Sequence, residues 1–172
     1  NDAGTKFLVN PAGIHFSRVK ASDLVIVDLD EPLPTPEAGG PDPTAAALHG
    51  AMPRNNPQAR CVSHLHPQYV TALSTLDDPT IRPIDQNTAR FYNRVSYDLG
   101  FGGMGLGDEA ERLSSTLGNR SVVLMGAHGA MTVGTRVCDA FDDFYYLERA
   151  AETLMTAYAS GQKLRELDHD VA

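Results

Sequence analysis

The 172-residue chain has little of what several classes of protein require. It contains no Trp, only 2 Cys, and 14 Lys and Arg against 22 Asp and Glu, for a net charge of −8. Because it has no basic cluster, nucleic acid and anionic membranes are poor partners. Its longest apolar runs fall far short of the ~20 residues that a membrane helix needs. We therefore expect neither nucleic acid nor a membrane as a partner.

The two cysteines, Cys61 and Cys138, bear on the compartment. A chain of this length with so few cysteines is typical of a protein with reduced, buried thiols. No signal peptide is recognisable in the sequence. The sequence thus predicts a cytoplasmic protein.

Stretches of strand character alternate with stretches of helical spacing along the chain. The predicted strands cover 6–10, 23–29, 59–64 and 121–125. The predicted helices cover 44–52, 67–76, 84–92, 108–117 and 135–160. Residues 31–43 are rich in proline and predict an extended loop, Thr44 is the expected helix cap, and Pro53 breaks the chain again. The alternation, with no visible boundary, predicts one layered α/β or α+β domain over residues 1–172.

The last predicted helix has apolar and charged residues at helical spacing. The apolar residues expected on its buried face are Val137, Phe141, Phe144, Ala151, Leu154 and Tyr158. The charged residues expected to form a solvated face with local ion pairs are Asp142, Asp143, Glu148 and Arg149. The edge formed by Tyr145 and Tyr146 is a candidate subunit contact.

Two of the six histidines lie one residue apart in the segment RCVSHLHPQYV, residues 60–70. Residues two apart on a strand project to the same face, so His64 and His66 can present ring nitrogens to one ion while Leu65 points into the core. A third donor is His128, which follows a buried strand in the segment MGAHGA. Three imidazoles leave coordination positions open for water or substrate, which is typical of a catalytic metal site.

A plainer interpretation is open for each histidine. An isolated HxH pair is a weak signal, and His64 and His66 would then be surface residues at the end of a strand. His49, beside Leu48 on a predicted helix, is expected to be a partly buried histidine without a metal. His15 and His169 are expected at the surface.

Six segments of the chain resemble the class II aldolase/adducin family. They are FLVNPAGIHFSRVKASDLVIVDLD, DPTAAALHG, ARCVSHLHPQYVTALS, IDQNTARFY, LMGAHGAMTVG and AFDDFYYLERAAE, and they follow the family's order over nearly the whole chain. In that family the HxH pair and the later His-Gly histidine bind a divalent metal, which carries over to His64, His66 and His128. Zinc is the expected ion, with Fe(II) or Mn as alternatives.

The resemblance also implies a fold and an assembly. The family fold is a three-layer α/β/α domain with a central, largely antiparallel sheet. Its enzymes act on small molecules and form homo-oligomers, usually tetramers, with active sites between neighbouring subunits. The family's first helix and an early strand precede the region of Phe7, and we expect that they are missing from this chain.

The chain departs from the family's aldolases at several positions. Ala45 stands where they have a catalytic glutamate, and Ala12-Gly13 and Pro43-Thr44 replace parts of their phosphate pocket. A sugar phosphate substrate and the usual proton-transfer base therefore do not carry over. The substrate-binding candidates that the resemblance leaves are Gly13, Thr44 and Gln86.

The expected function is that of a metal-dependent carbon–carbon lyase, an aldolase or a decarboxylase, acting on a small hydroxy or oxo acid or a sugar-acid-like molecule. Loss of CO2 needs no base to start it, so the alanine at position 45 favours decarboxylation. Tyr97 is the candidate proton donor, because family aldolases place a catalytic tyrosine near this position that reaches a neighbouring site. Gln86, Asp98 and Glu109 are weaker candidates, for which helix capping or a solvated surface is the favoured interpretation.

Two other functions fit the same residues. Three neutral imidazoles also suit Fe(II), so a non-haem iron oxygenase that decarboxylates a 2-oxo or 2-hydroxy acid is the first alternative. A non-catalytic assembly module of the adducin kind is the second.

Overall fold

A computed structural model of the chain describes residue 1, residues 4–100 and residues 108–172. These residues divide into two compact units. One unit takes in the described residues up to Pro57 and residues 108–114, and the other takes in residues 58–100 and 115–172. The interpretation of residues 1–172 as a single domain stays a prediction.

The first unit contains a two-stranded antiparallel sheet and the helix α1. Strand β1 spans Lys6–Val9, β2 spans Val25–Asp28, and α1 spans Pro43–Asn55. Lys6 and Asp28 face each other in the strand register and form an ion pair of 2.7 Å. Helix α4, Glu109–Leu117, begins in this unit, and its Ser114 hydroxyl donates a hydrogen bond to the Ala51 carbonyl of α1 at 3.1 Å.

Both predicted ends of α1 are wrong by a few residues. The cap is Asp42, whose carboxylate accepts the N–H groups of Thr44 and Ala45. Asp42 precedes a proline at the first helical position, which suits proline's fixed φ. The helix also continues through Pro53. A proline removes only one N–H donor, and the helical hydrogen bonds resume after it, since the N–H of Asn56 donates to the Met52 carbonyl at 3.0 Å.

The second unit is built on a four-stranded mixed sheet. Its strands are β3 (Cys61–Leu65), β4 (Val95–Asp98), β5 (Val122–Met125) and β6 (Gly129–Gly134), in the order β3-β6-β5-β4. The β3–β6 and β5–β6 pairs are antiparallel and the β4–β5 pair is parallel. This mixed, mostly antiparallel sheet among helices confirms the predicted α/β fold class.

Three helices pack together on one face of this sheet. They are α2 (Gln68–Ser74), α3 (Gln86–Ala89) and the 23-residue α5 (Val137–Ala159). Their apolar side chains join those of the sheet in one core, whose fully buried members are Val70, Leu73, Val122, Leu124, Ala130, Leu147, Ala150, Ala151 and Leu154. No described helix combines the length and apolar character needed to cross a membrane.

The predicted buried face of α5 is only partly right. Phe144, Ala151 and Leu154 are buried, but Val137 and Phe141 are 73% and 66% exposed. At about 100° per residue, Phe141 lies roughly 100° around the helix from the buried Ala140 and about 120° from the buried Leu147, and Val137 is the first residue of the helix. The buried-thiol prediction is likewise wrong for Cys138, which is exposed, whereas Cys61 is half-buried.

The predicted solvated face of α5 is wrong for two of its acids. Asp143 is buried and pairs with Arg90 and Arg94. Glu148 is half-buried and binds the backbone of α2. Asp142 and Arg149 do lie at the surface.

Candidate metal centre

Three histidines from distant parts of the sequence meet at one edge of the four-stranded sheet. β6 is antiparallel to both β3 and β5, and β4 is parallel to β5, so β3, β4 and β5 all end at the same edge. His64 lies in β3 and His66 follows its last residue. His128 lies in the turn that joins β5 to β6. The topology therefore brings both predicted ligand segments to one place.

The turn that carries His128 depends on small residues. A side chain at Gly129 would come within 2.6 Å of the Leu65 carbonyl oxygen and 2.8 Å of His66 Cδ2. A side chain at Gly126 would come within 2.8 Å of Leu99 Cα. Between them Ala127 takes a left-handed conformation with φ of 52°. Glycine at both positions lets this turn lie directly against the neighbouring strands.

The ring nitrogens of the three histidines converge. One ring nitrogen from each of His64, His66 and His128 lies within 4.8 Å of the others. Nε2 of His64 and Nε2 of His66 are 3.1 Å apart, and all three ring pairs meet edge to face. Zinc–nitrogen bonds of ~2.0–2.1 Å in a tetrahedral site separate two ligand nitrogens by about 3.3 Å. The cluster therefore fits a divalent metal ion without large rearrangement.

A backbone carbonyl sets the proton position on His64. Nδ1 of His64 lies 3.0 Å from the carbonyl oxygen of Ala130, which can only accept, so Nδ1 carries the proton and donates. In the neutral ring this leaves the lone pair on Nε2, the nitrogen that faces His66. Metal-binding histidines commonly have such a supporting hydrogen bond.

Leu65, between the two histidines, was predicted to point into the core, and this prediction is wrong. Leu65 is 39% exposed, and it is the last residue of β3, which lies at an outer side of the four-stranded sheet. His66 is exposed, and His64 and His128 are half-buried. The cluster is therefore open to small molecules from solvent.

Tyr97 lies on the other face of the sheet from His64. Tyr97 is in register with Leu124, Leu124 with Ala130, and Ala130 with Leu65, so these four residues share the face that packs on α5. The hydroxyl of Tyr97 accepts the N–H of Ile81 at 3.0 Å. It also lines a cavity of about 440 Å³. Within one chain the structure does not bring Tyr97 to the histidines.

Burial raises the pKa of the Tyr97 phenol above its ordinary value. The phenol is therefore protonated at neutral pH, and its O–H remains a hydrogen-bond donor.

The predicted substrate-binding residues are spread over the chain. Gly13 and Thr44 belong to the first unit, where Gly13 has φ of 74° and Thr44 binds the Asp42 carboxylate. Gln86 is the exposed first residue of α3, which packs on α5 and so lies across the sheet from His64. Their roles in substrate binding stay predictions.

Two of the weaker candidates are buried, so the solvated-surface interpretation is wrong for them. Asp98 ends β4 on the same sheet face as His64, and its carboxylate accepts the Gly100 N–H at 3.0 Å. Glu109 begins α4 and pairs with Arg112 at 3.4 Å.

Glu148 is a residue near this centre that the sequence interpretation missed. Its two carboxylate oxygens accept the N–H groups of Tyr69 and Val70, just after His66. Its spacing of four from Phe144 and three from Ala151, both buried, could have placed it on the inner face of α5.

Comparison with known proteins identifies a family that matches most of this chain. Residues 1–155 match the family described as Class II Aldolase and Adducin N-terminal domain. The 3-oxo-tetronate 4-phosphate decarboxylase of Haemophilus influenzae is 32% identical over 167 residues, which cover 94% of this chain and 76% of the relative. The chain spans only 60–63% of the length of three further curated relatives.

Solved structures agree with the family match. An aldolase II superfamily protein from Pseudomonas syringae superposes with a TM-score of 0.87 at 31% identity, over 96% of this chain and 67% of that one. The L-fuculose 1-phosphate aldolase from Glaciozyma antarctica superposes with a TM-score of 0.80 at 25% identity, over 96% of this chain and 64% of that one.

Proposed function

Because the chain belongs to the class II aldolase and adducin family, we propose that it is a divalent-metal-dependent lyase acting on a small hydroxy or oxo acid or a sugar-acid-like molecule. The observation that carries the proposal is the convergence of one ring nitrogen each from His64, His66 and His128. Zinc is the proposed ion, with Fe(II) or Mn as alternatives.

The three histidines would hold the ion, and His64 is already in the tautomer that suits this role. A bound ion would supply Lewis-acid stabilisation of the negative charge that develops on a substrate oxygen as a carbon–carbon bond breaks. Three protein ligands leave positions for adjacent oxygens of the substrate. The ring of His66 is exposed, so a small acid can reach it from solvent.

Decarboxylation is the favoured reaction. Ala45, in the first turn of α1, has a methyl group where family aldolases have a carboxylate, so it cannot remove a proton. A 3-oxo acid needs no such base, because the electrons of the bond to the carboxyl group move to the ketone oxygen as CO2 leaves. The Haemophilus relative, named for decarboxylation of a 3-oxo acid phosphate, supports this choice.

A proton must then return to the substrate carbon. Tyr97 is the proposed donor, acting from a neighbouring subunit of a homo-oligomer, since its own chain holds it across the sheet from His64. The phenol carries its proton at neutral pH, as a donor must, although burial raises its pKa and makes that proton harder to release. A Tyr97→Phe chain should release CO2 but lose stereospecific proton return, which NMR in D2O would measure.

The test uses the full chain, purified without oxygen, and its metal content is measured first. Four-carbon 3-oxo acids, with and without a terminal phosphate, are then assayed for CO2 release and for aldehyde release. We expect CO2 release that is lost in His64→Ala and kept in His15→Ala, which changes an exposed histidine of the first unit. Aldehyde without CO2 would instead assign an aldolase.

The oxygenase alternative is tested with the same purified protein, assayed on 2-oxo and 2-hydroxy acids with and without O2. Three imidazoles suit Fe(II), and the cluster found among the described residues contains no carboxylate. Turnover of 2-oxo or 2-hydroxy acids that stops without O2 would assign this function. Turnover that is unchanged without O2 would remove it.

The assembly alternative rests on the adducin half of the family description. An assembly module has no need of a metal. If the wild-type chain binds no divalent metal and His64→Ala changes nothing, the lyase proposal fails and the assembly role remains.

A further inference from the structure

The short helix α2 is attached to both segments that carry the histidines. It begins at Gln68, two residues after His66. At its other end the carbonyl of Ser74 accepts the N–H of Ala127 at 3.0 Å, and Ala127 immediately precedes His128. The position of this 7-residue helix therefore affects the distance between the two ligand segments.

Glu148 fixes the start of α2. Its Oε1 accepts the N–H of Tyr69 and its Oε2 accepts the N–H of Val70, each at 2.9 Å. The residue at the cap position, Pro67, makes no side-chain capping hydrogen bond. A carboxylate from α5 thus satisfies two N–H groups of the first helical turn, where a negative charge also interacts favourably with the helix dipole.

The support for Glu148 is itself rigid. Leu147, Ala150 and Ala151, its neighbours on α5, are fully buried in the core with Val70 and Leu73 of α2. Two charge-assisted hydrogen bonds on such a support define both the position and the direction of the helix start.

We propose that Glu148 is a positioning residue of the metal centre: it holds α2 so that His66 and His128 keep the spacing that one ion requires. This inference rests on the proposed metal-dependent function, and it adds a residue that touches neither the ion nor the substrate. Residues that orient metal ligands without binding the metal typically change affinity by ~10- to 100-fold.

The experiment compares Glu148→Gln and Glu148→Ala with the control Glu152→Ala in the full chain. Glu152 lies one turn further along α5 and pairs at 2.6 Å with Arg149, whose side chain is 54% exposed. Zinc affinity is measured by competition with a chelator, and the d–d absorption of the Co(II) form reports the ligand geometry. The thermal midpoint of the metal-free protein is recorded alongside.

We expect zinc affinity to fall about tenfold in Glu148→Gln, which keeps one acceptor oxygen, and up to about 100-fold in Glu148→Ala. The Co(II) spectrum should change in both variants and stay unchanged in the control. Should Glu148→Ala fail to fold, the milder Gln variant carries the test.

Two results would overturn the inference. One is zinc affinity in the Glu148 variants equal to that of Glu152→Ala. The other is an equal affinity loss in Asp143→Ala, a buried acid of α5 that binds Arg90 and Arg94, because the loss would then follow stability alone. Failure of the metal proposal itself would look different: the wild-type chain would bind no zinc at all.

Discussion

Two acids of α5, the buried Asp143 and the half-buried Glu148, lie five positions apart on one helix but bind different partners. Asp143 accepts hydrogen bonds from the guanidinium groups of Arg90 at 2.9 Å and Arg94 at 3.1 Å. Those arginines connect α5 to the segment between α3 and β4. Glu148 instead accepts two backbone N–H groups at the start of α2, next to His66.

The difference lies in how firmly each partner is fixed. The side chains of Arg90 and Arg94 remain 30% and 45% exposed, so water can take over part of their charge. The amides that Glu148 binds lie in the first turn of α2, so the helix fixes their direction, and Val70 is fully buried. An ion pair of the first kind stabilises the fold, whereas hydrogen bonds of the second kind also fix geometry at the nearby histidines.

The largest expected change in zinc affinity follows from removing one of the three histidines. In His128→Ala we expect zinc affinity to fall by more than the ~100-fold upper range for residues that only support a ligand. Chelator competition measures it, and His169→Ala, at the exposed C-terminal end, is the matched control. Equal zinc affinity in His128→Ala and a Glu148 variant would contradict the expectation that losing a ligand costs more affinity than losing a positioning residue.

His49 in the first unit is a third case, a histidine whose pKa is shifted by burial. Burial lowers the pKa of His49 from 6.5 to about 4. Since the unfolded chain takes up this proton more readily, stability falls as pH drops from about 6.5 towards 4, by up to about 3 kcal/mol. Urea unfolding of the metal-free protein should therefore show a flatter pH profile in His49→Gln than in wild type.

The control for that profile is His15→Gln, because His15 is exposed. It should leave the slope unchanged. Equal slopes in wild type and His49→Gln would contradict the effect of burial.

The sequence predicted the histidine pair because its signal is local. Alternation along β3 places His64 and His66 on one side, and a buried strand before His128 placed that residue at a strand end. The placement of both segments at strand ends joined the pair to His128, the family resemblance supported the same set, and the sheet brings the three together.

What the sequence did not predict depends on distant contacts. β6 reads Gly-Ala-Met-Thr-Val-Gly, a run with few β-branched residues that becomes a central strand only between β3 and β5. The face that Tyr97 occupies follows from the register of β4 on β5. The partners of Glu148 are separated from it by 78 and 79 positions, so no local spacing reveals them.

Asp143→Ala tests the comparison directly. It leaves Arg90 and Arg94 without their shared buried carboxylate, and we expect a loss of about 2 kcal/mol, below the 3–5 kcal/mol of a fully buried pair because both arginines stay partly exposed. Zinc affinity should stay within about twofold. Asp142→Ala, whose acid is 55% exposed, is the control and should change stability by less than about 0.5 kcal/mol.

The smallest effect is expected at the far end of α2, where Ala127 meets Ser74. A left-handed alanine costs roughly 1 kcal/mol, and Ala127→Gly removes that strain while giving the unfolded chain more freedom. The net gain in unfolding free energy should be below about 1 kcal/mol. Zinc affinity should not change, because glycine keeps the N–H that reaches Ser74.

Ala127→Val, which also keeps the N–H but increases the strain, should lower the thermal midpoint with the same zinc affinity. If zinc affinity instead rises in Ala127→Gly and falls in Ala127→Val, then the stability of the turn determines how tightly the site binds zinc. The special place of the Glu148 contact in the comparison with Asp143 would then be lost.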